Sequence, residues 1–202
     1  MIKGKKVVLR PLEESDLDFC QVLYNDPHIR DMVVGWDFPS SKKNQKIWFE
    51  SLIKDKRNIR FIIETKKKER LGLTGLWNID WHNRSALNAI KLLVTRKTKG
   101  KGYGKDAIMA MAAFAFFNVG LHKLWCEIID YNIPSLKAYT QRCGWKIEGK
   151  LRKHIFKNGE YHNLYSIGCL KDDFLSVPDA QEYIPSNIPE GMRRVVRKIS
   201  LE

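Results

Sequence analysis

Short apolar, β-branched runs alternate with segments of helical spacing along the 202 residues of the chain. The first run, Lys6 to Arg10, predicts a strand that stops at Pro11. In the stretch that follows, Ser15 can cap a helix whose apolar positions are Leu17, Val22 and Leu23. A second helix is predicted over about 41–54, with Ile47, Trp48, Leu52 and Ile53 as its apolar side. The connection between these helices is rich in aromatic and apolar residues, which suits either packing or the lining of a site. Arg60 to Thr65 and Leu71 to Asp80 then predict a hairpin across the charged turn at 66–69, and Leu87 to Thr95 a further strand. A basic glycine loop leads into a long apolar helix ended by Gly120. After it come a strand at Leu124 to Asp130 and a helix at Ile133 to Arg142, with Pro134 in its first turn and Gly144 closing it. Strands at Trp145 to Arg152 and Glu160 to Leu170 close the pattern, joined at Lys157-Asn158-Gly159. Seven strands and four helices in this order predict an α+β fold around a mixed, mostly antiparallel sheet.

The length fits one domain with an extension. Composition shifts at Ser176, where Pro178, Pro185 and Pro189 begin to punctuate the chain, so the boundary is drawn as 1–175 and 176–202. An apolar share of 44% provides for a real core and excludes a disordered chain. The most apolar run, Ala107 to Leu121, falls short of the roughly 20 residues that span a bilayer, and charges occupy the place of a signal peptide's apolar stretch. Four scattered cysteines without a CxxC pair suit reduced thiols, so a cytoplasmic protein without a metal site or membrane contact is expected. Lys and Arg number 36 against 23 acids, giving +13, all of it on residues 1–175 because the extension balances four bases with four acids. Such a surface favours anionic partners. A nucleic-acid-binding protein is one class of that kind, but no helix-turn-helix, zinc finger or aromatic RNP motif supports it.

The most informative segment is Arg96 to Lys105, RKTKGKGYGK. Gly100, Gly102 and Gly104 follow a strand and open a helix, so main-chain N–H groups and the helix N-terminus can cradle a phosphate. Lys97, Lys99, Lys101 and Lys105 add long-range attraction. The spacing is neither the Walker loop nor GxGxxG, so both nucleotide-binding motifs drop out.

Lys99-Gly100-Lys101-Gly102-Tyr103-Gly104 resembles the pyrophosphate loop of the GCN5-related N-acetyltransferase (GNAT) superfamily, with Lys99 in place of the usual Gln or Arg. Asn132, Ser135, Tyr139 and Gly144 resemble the Asn, Ser, Tyr and Gly-Phe block of that family, with Trp145 for the Phe. The resemblance covers residues 5–171 and is greatest to the RimJ/RimL-type branch, although Leu87 and Ala89 stand where that branch often has Glu and Gly. Asn163 stands where relatives often have Asp.

The resemblance implies a GNAT fold and direct acetyl transfer from acetyl-CoA, as cosubstrate, to a primary amine. It places the CoA pyrophosphate on the amides of Lys101 to Lys105 and pairs the pantetheine arm with the 87–95 strand. An N–H near Leu93 or Val94 would polarise the thioester carbonyl, and Asn132 would bond the pantetheine arm, with helix capping as its alternative role. Lys137 is the candidate for the 3′-phosphate, and Tyr139 for the acid that protonates the leaving thiolate. Asp80 and His82 are the candidates for the base. Three acceptor classes fit: a dTDP- or UDP-linked amino-deoxy sugar, placed first because its diphosphate suits the basic body; a polyamine or aminoglycoside; and a protein N-terminus. Trp36, Trp77 and Trp81 are the candidates for stacking on the acceptor, and a homodimer is a candidate assembly.

Overall fold

A computed structural model describes residues 1–93 and 95–186 of the chain. Val94 and the 187–202 part of the expected extension lie outside the described residues. Eight strands form a single sheet: β1 (Ile2–Lys3), β2 (Val7–Pro11), β3 (Ile59–Thr65), β4 (Arg70–Asp80), β5 (Ser85–Leu92), β6 (Lys123–Ile129), β7 (Lys146–Lys157) and β8 (Glu160–Leu170). Their spatial order is β1-β2-β3-β4-β5-β6-β8-β7, and every neighbouring pair is antiparallel except β5 with β6. The expected mixed, mostly antiparallel α+β sheet is present, with the two-residue β1 as the additional strand.

Three helices, α1 (Leu17–Asn25), α2 (Pro27–Met32) and α3 (Lys42–Ser51), separate β2 from β3. The long helix α4 (Tyr103–Phe114) makes the crossover from β5 to β6, and α5 (Ile133–Arg142) follows β6. A short α6 (Lys171–Leu175) follows β8. Helix α2 is absent from the sequence pattern, and it starts where Asp26 accepts from the Ile29 N–H at 2.9 Å with Pro27 in the first turn. Ser15 is not the cap expected of it: Asp16 takes the Glu13 N–H at 3.0 Å and is itself held by Arg10 at 2.7 Å. The predicted apolar side of α3 also differs. Ile47 and Ile53 are exposed, and Gln45 is the buried residue, donating to the Ser40 hydroxyl at 2.9 Å. Helix α4 runs through a π-helical turn, Ala115–Val119, into Gly120, which takes the left-handed conformation expected of it at φ 79°.

The main core lies between the sheet and helices α4 and α5. Ile108, Met109, Met111, Leu124, Tyr139, Trp145 and Ile167 are all buried in it. Gly144 is fixed by this packing, because a Cβ there would run into the Asp173 carbonyl and the Val177 side chain. Val177, Ala180 and Tyr183 belong to the same core, so residues 176–186 are part of the body, and the predicted boundary at 176 falls inside it.

Asp106, in the first turn of α4, holds this arrangement at one point. Its buried carboxylate accepts the N–H groups of Lys5, Lys6 and Val7 at 2.8–2.9 Å and the Tyr183 hydroxyl at 2.8 Å. One side chain thereby joins the start of β2, the start of α4 and the segment after α6. Hydrogen bonds to a charged group contribute about 1.5–3 kcal/mol each, and the three amides would be stranded without it. Asp106→Ala is therefore expected to cost about 4 kcal/mol or more of unfolding free energy, and Tyr183→Phe only about 1–2, in urea denaturation. Equal small losses would contradict this clamp.

Candidate active site

The sheet opens in its middle. Strands β5 and β6 pair only at Ser85–Lys123, Ala86–Leu124 and Leu87–Trp125, where the Arg84 carbonyl also takes the His122 N–H at 2.6 Å. Beyond Leu87 no ladder joins them among the described residues. Strand β5 stays with β4 as far as Leu92, and β6 stays with β8 along its whole length. The gap is a wedge closed at Ser85 and open towards Leu92.

Alternation fixes which main-chain groups face that wedge. The Leu93 N–H donates to the Leu71 carbonyl at 2.8 Å, so residues 93, 91 and 89 turn their N–H and C=O groups towards β4. Asn88, Ile90 and Leu92 turn theirs the other way, into the wedge. This corrects the sequence-based assignment: the Leu93 amide is already used, and the amides available to a thioester or pantetheine arm are those of Ile90 and Leu92.

Tyr139 of α5 comes up beneath Ile90. Its ring is 1% exposed and packs edge-on against Trp145 at 4.8 Å between centroids. Its hydroxyl is buried without a hydrogen-bond partner among the described residues. Burial pushes its pKa well above 10, the Cys126 and Cys143 thiols push the same way, and the Ile90 amide opposes them. The group therefore stays protonated at working pH.

At the open end the glycine loop enters α4. Gly102, with φ 81°, is the residue before the helix, in a conformation that favours glycine, and Gly100 has φ 75°. The turn before it is fixed by Thr95, whose carbonyl accepts from the N–H groups of Thr98 and Lys99 at 3.1 and 2.9 Å. Tyr103, Gly104 and Lys105 supply the first-turn amides that have no partner within a helix. Lys97, Lys99 and Lys101 are exposed around them, and the Lys6 ammonium donates to the Lys101 carbonyl at 2.8 Å. The Lys105 ammonium is turned away to Asp179 at 2.8 Å, so Lys105 offers the site its N–H and not its charge. The buried Tyr139 hydroxyl, the outward amides of β5 and the anion-seeking start of α4 are groups of the kind that binding of acetyl-CoA requires.

Other predicted residues fall elsewhere. Asn132 caps α5, accepting from the Ser135 N–H at 3.2 Å, and donates to the Met32 carbonyl at 3.0 Å. This is the capping role, and it leaves one N–H of the Asn132 amide for a ligand. Lys137 is exposed on α5. Asp80 and His82 do not fit as bases. Asp80 ends β4 and His82 lies in the turn to β5, at the closed end of the wedge, and Ile90 is five residues along the strand from Ser85, about 17 Å. The Asp80 carboxylate is also committed to the N–H and side-chain amide of Asn83 at 2.9 and 2.8 Å, which lower its pKa. Trp81 lies in that same turn, 53% exposed, with its indole N–H on the Lys56 carbonyl.

Trp36 and Trp77 do come together, on the sheet face opposite α4. They line a cavity of about 340 Å³ beneath α1 and α3, with Tyr24, Trp48, Arg60 and Lys91. Trp48 was expected on the apolar side of a helix and Lys91 in no role at all, although a single lysine inside the apolar run Ala89 to Leu93 was a signal. Lys91 is 9% exposed, with its ammonium 4.0 Å from the centre of the Trp77 ring and 5.5 Å from that of Trp36. Burial lowers its pKa to about 8; Cys126 opposes the fall and the Arg60 charge adds to it.

The chain matches the acetyltransferase (GNAT) domain over residues 6–146. It belongs to that family. It is 26% identical over 173 residues to the spermidine N(1)-acetyltransferase of Vibrio cholerae, covering 86% of this chain and 98% of the relative. The structure of the Vibrio cholerae spermidine N-acetyltransferase with CoA and spermine superposes with a TM-score of 0.76 at 28% identity, covering 84% of this chain and 98% of that one. A dodecameric structure of the same enzyme gives 0.71 at 28% identity, covering 84% and 96%. This GNAT chain is thus an acetyl-CoA-dependent N-acetyltransferase. Of the acceptor classes weighed above, these relatives match the polyamine and not the sugar nucleotide placed first. Among the described residues no helix is long and apolar enough to cross a membrane.

Because the Lys91 pKa is lower folded than unfolded, the unfolded chain binds more protons between pH 8 and 10.5, and stability rises with pH across that window. Lys91→Met is therefore expected to stabilise the fold at pH 7 by on the order of 3 kcal/mol, a gain that shrinks as pH rises through 8 to 10.5. A gain that does not change with pH, measured by denaturation at pH 7 and 10, would contradict a buried charge at this position.

Proposed function

We propose that this N-acetyltransferase runs direct transfer in the wedge between β5 and β6, with the acceptor amine entering from the cavity under α1 and α3. Acetyl-CoA supplies an activated acyl group and a thiolate leaving group. The Ile90 N–H binds the carbonyl oxygen as charge develops on it. The Tyr139 hydroxyl gives its proton to the departing sulfur, and the phenolate takes the proton that the acylated nitrogen sheds, so the chain returns to its starting state. The amides of Gly102 to Lys105 and the surrounding lysines hold the pyrophosphate. No carboxylate or histidine is needed beside the amine if the ammonium proton is lost to water before the neutral amine attacks. The single observation that carries this reading is the buried, unpartnered Tyr139 hydroxyl under the outward amide of Ile90.

The acceptor is first to be sought among polyamines, because that is what the Vibrio cholerae relative acts on. The lining of the cavity favours a second class, argued below. Placement in the RimJ/RimL branch and assembly as a homodimer remain parts of this proposal.

Tyr139→Phe keeps the ring packing against Trp145 and removes only the proton. Its kcat is expected to fall about 10²–10³-fold with the acetyl-CoA KM unchanged. Full turnover at pH 7 in CoA-thiol release would remove Tyr139 from the mechanism.

A further inference from the structure

We propose that the acceptor carries an anionic group, a phosphate or a carboxylate, which Lys91 and Arg60 bind in the cavity while its amine faces the wedge. The inference rests on that cavity being the acceptor's site. Both cations project from the sheet into the same space: Lys91 from β5, next to Ile90, and Arg60 from β3. No Asp or Glu lines the cavity among the described residues. Among the described residues Lys91 has only aromatic faces for partners, and Arg60 lies 5.4 Å from the Trp48 ring with a single long contact to Asp55 at 3.5 Å. That contact is shared, since Asp55 also accepts from the Asn58 amide at 2.8 Å.

Two neighbouring cations in a mostly apolar cavity are costly unless an anion balances them. A guanidinium and an ammonium are the side chains suited to phosphate or carboxylate, and exclusion of water strengthens their hold. Rings of Trp36, Trp48 and Trp77 supply flat apolar walls for the body of the ligand. The same lining repels a polycation. The acids of the connection between α1 and α3, Asp26, Asp31 and Asp37, do not line the cavity; Asp26 caps α2 and Asp37 pairs with Lys157 at 2.7 Å. Lys91 loses its proton above about pH 8, which would weaken the anion site there.

The test compares glucosamine with glucosamine 6-phosphate, muramic acid as the carboxylate form, and spermidine, in the full-length protein with saturating acetyl-CoA at pH 7. One or both anionic forms are expected to show kcat/KM at least tenfold above glucosamine and spermidine, and the better of them identifies the group. That advantage should drop at least tenfold in Lys91→Met with the acetyl-CoA KM unchanged. Preference for spermidine in the wild type, or an anionic advantage that survives Lys91→Met, would overturn the proposal. A second readout does not need turnover: inorganic phosphate titrated into the CoA-saturated protein while tryptophan fluorescence is followed. A saturable change that weakens at least tenfold in Lys91→Met supports the anion site even where none of the four amines reacts. No Lys91-dependent change overturns it in that case. Failure of the Tyr139 mechanism is distinguishable, because it leaves both the acceptor preference and the phosphate titration intact.

Discussion

The divergence of β5 from β6 after Leu87 and Trp125 is the constraint on which the rest of this molecule depends. A parallel pair in the middle of a sheet would ordinarily satisfy its main chain along its length. Here β5 remains bound to β4, and β6 to β8, so the sheet is continuous while its centre presents outward amides on one side. Tyr139 and Trp145 fill the space under the opening, and the crossover helix α4 starts at its wide end. An extended ligand can add to β5 as a strand would, with its anionic end at the helix start.

The loop that receives that end is itself held from behind. Asp106 fixes the first turn of α4 to three amides at the start of β2 and to Tyr183, while Asp179 pairs with Lys5 and Lys105. The segment after β8 thus braces the N-terminus of α4 at no cost to the free amides of Tyr103 and Gly104. Basic residues that look equivalent in RKTKGKGYGK take different parts: Lys105 is structural, and Lys97, Lys99 and Lys101 supply field.

Features encoded within a few residues were legible in the sequence. The glycine loop, the Asn132 cap, the Gly120 stop and the turn at Asn158-Gly159 each rest on local backbone chemistry, and both family motifs are built of them. Features set by register were not. Strand β5 begins at Ser85, two residues before the expected start, and only its pairing with β4 reveals that Ile90 and Leu92, not Leu93, face the opening. Asp80 and His82 looked plausible as acids and bases at a strand end, but which end of the wedge they occupy is a matter of topology. The cavity is less legible still, since Trp36, Trp48, Arg60, Trp77 and Lys91 come from five separate elements or connections.

The relatives and the cavity speak to different parts of the same reaction. Shared fold and motifs make acetyl-CoA the donor, and in the reading proposed above main-chain groups, which tolerate side-chain change, hold it. The proposed acceptor side is built of side chains, and there the charges of Lys91 and Arg60 are what the anionic-acceptor proposal rests on. Whether the outward amides of β5 are the donor's binding edge is read by residue-resolved amide hydrogen exchange with and without CoA. CoA is expected to slow exchange at Ile90 and Leu92, while Leu93, already bonded to Leu71, is slow in both states. Unchanged exchange at Ile90 and Leu92 on saturation with CoA would contradict it.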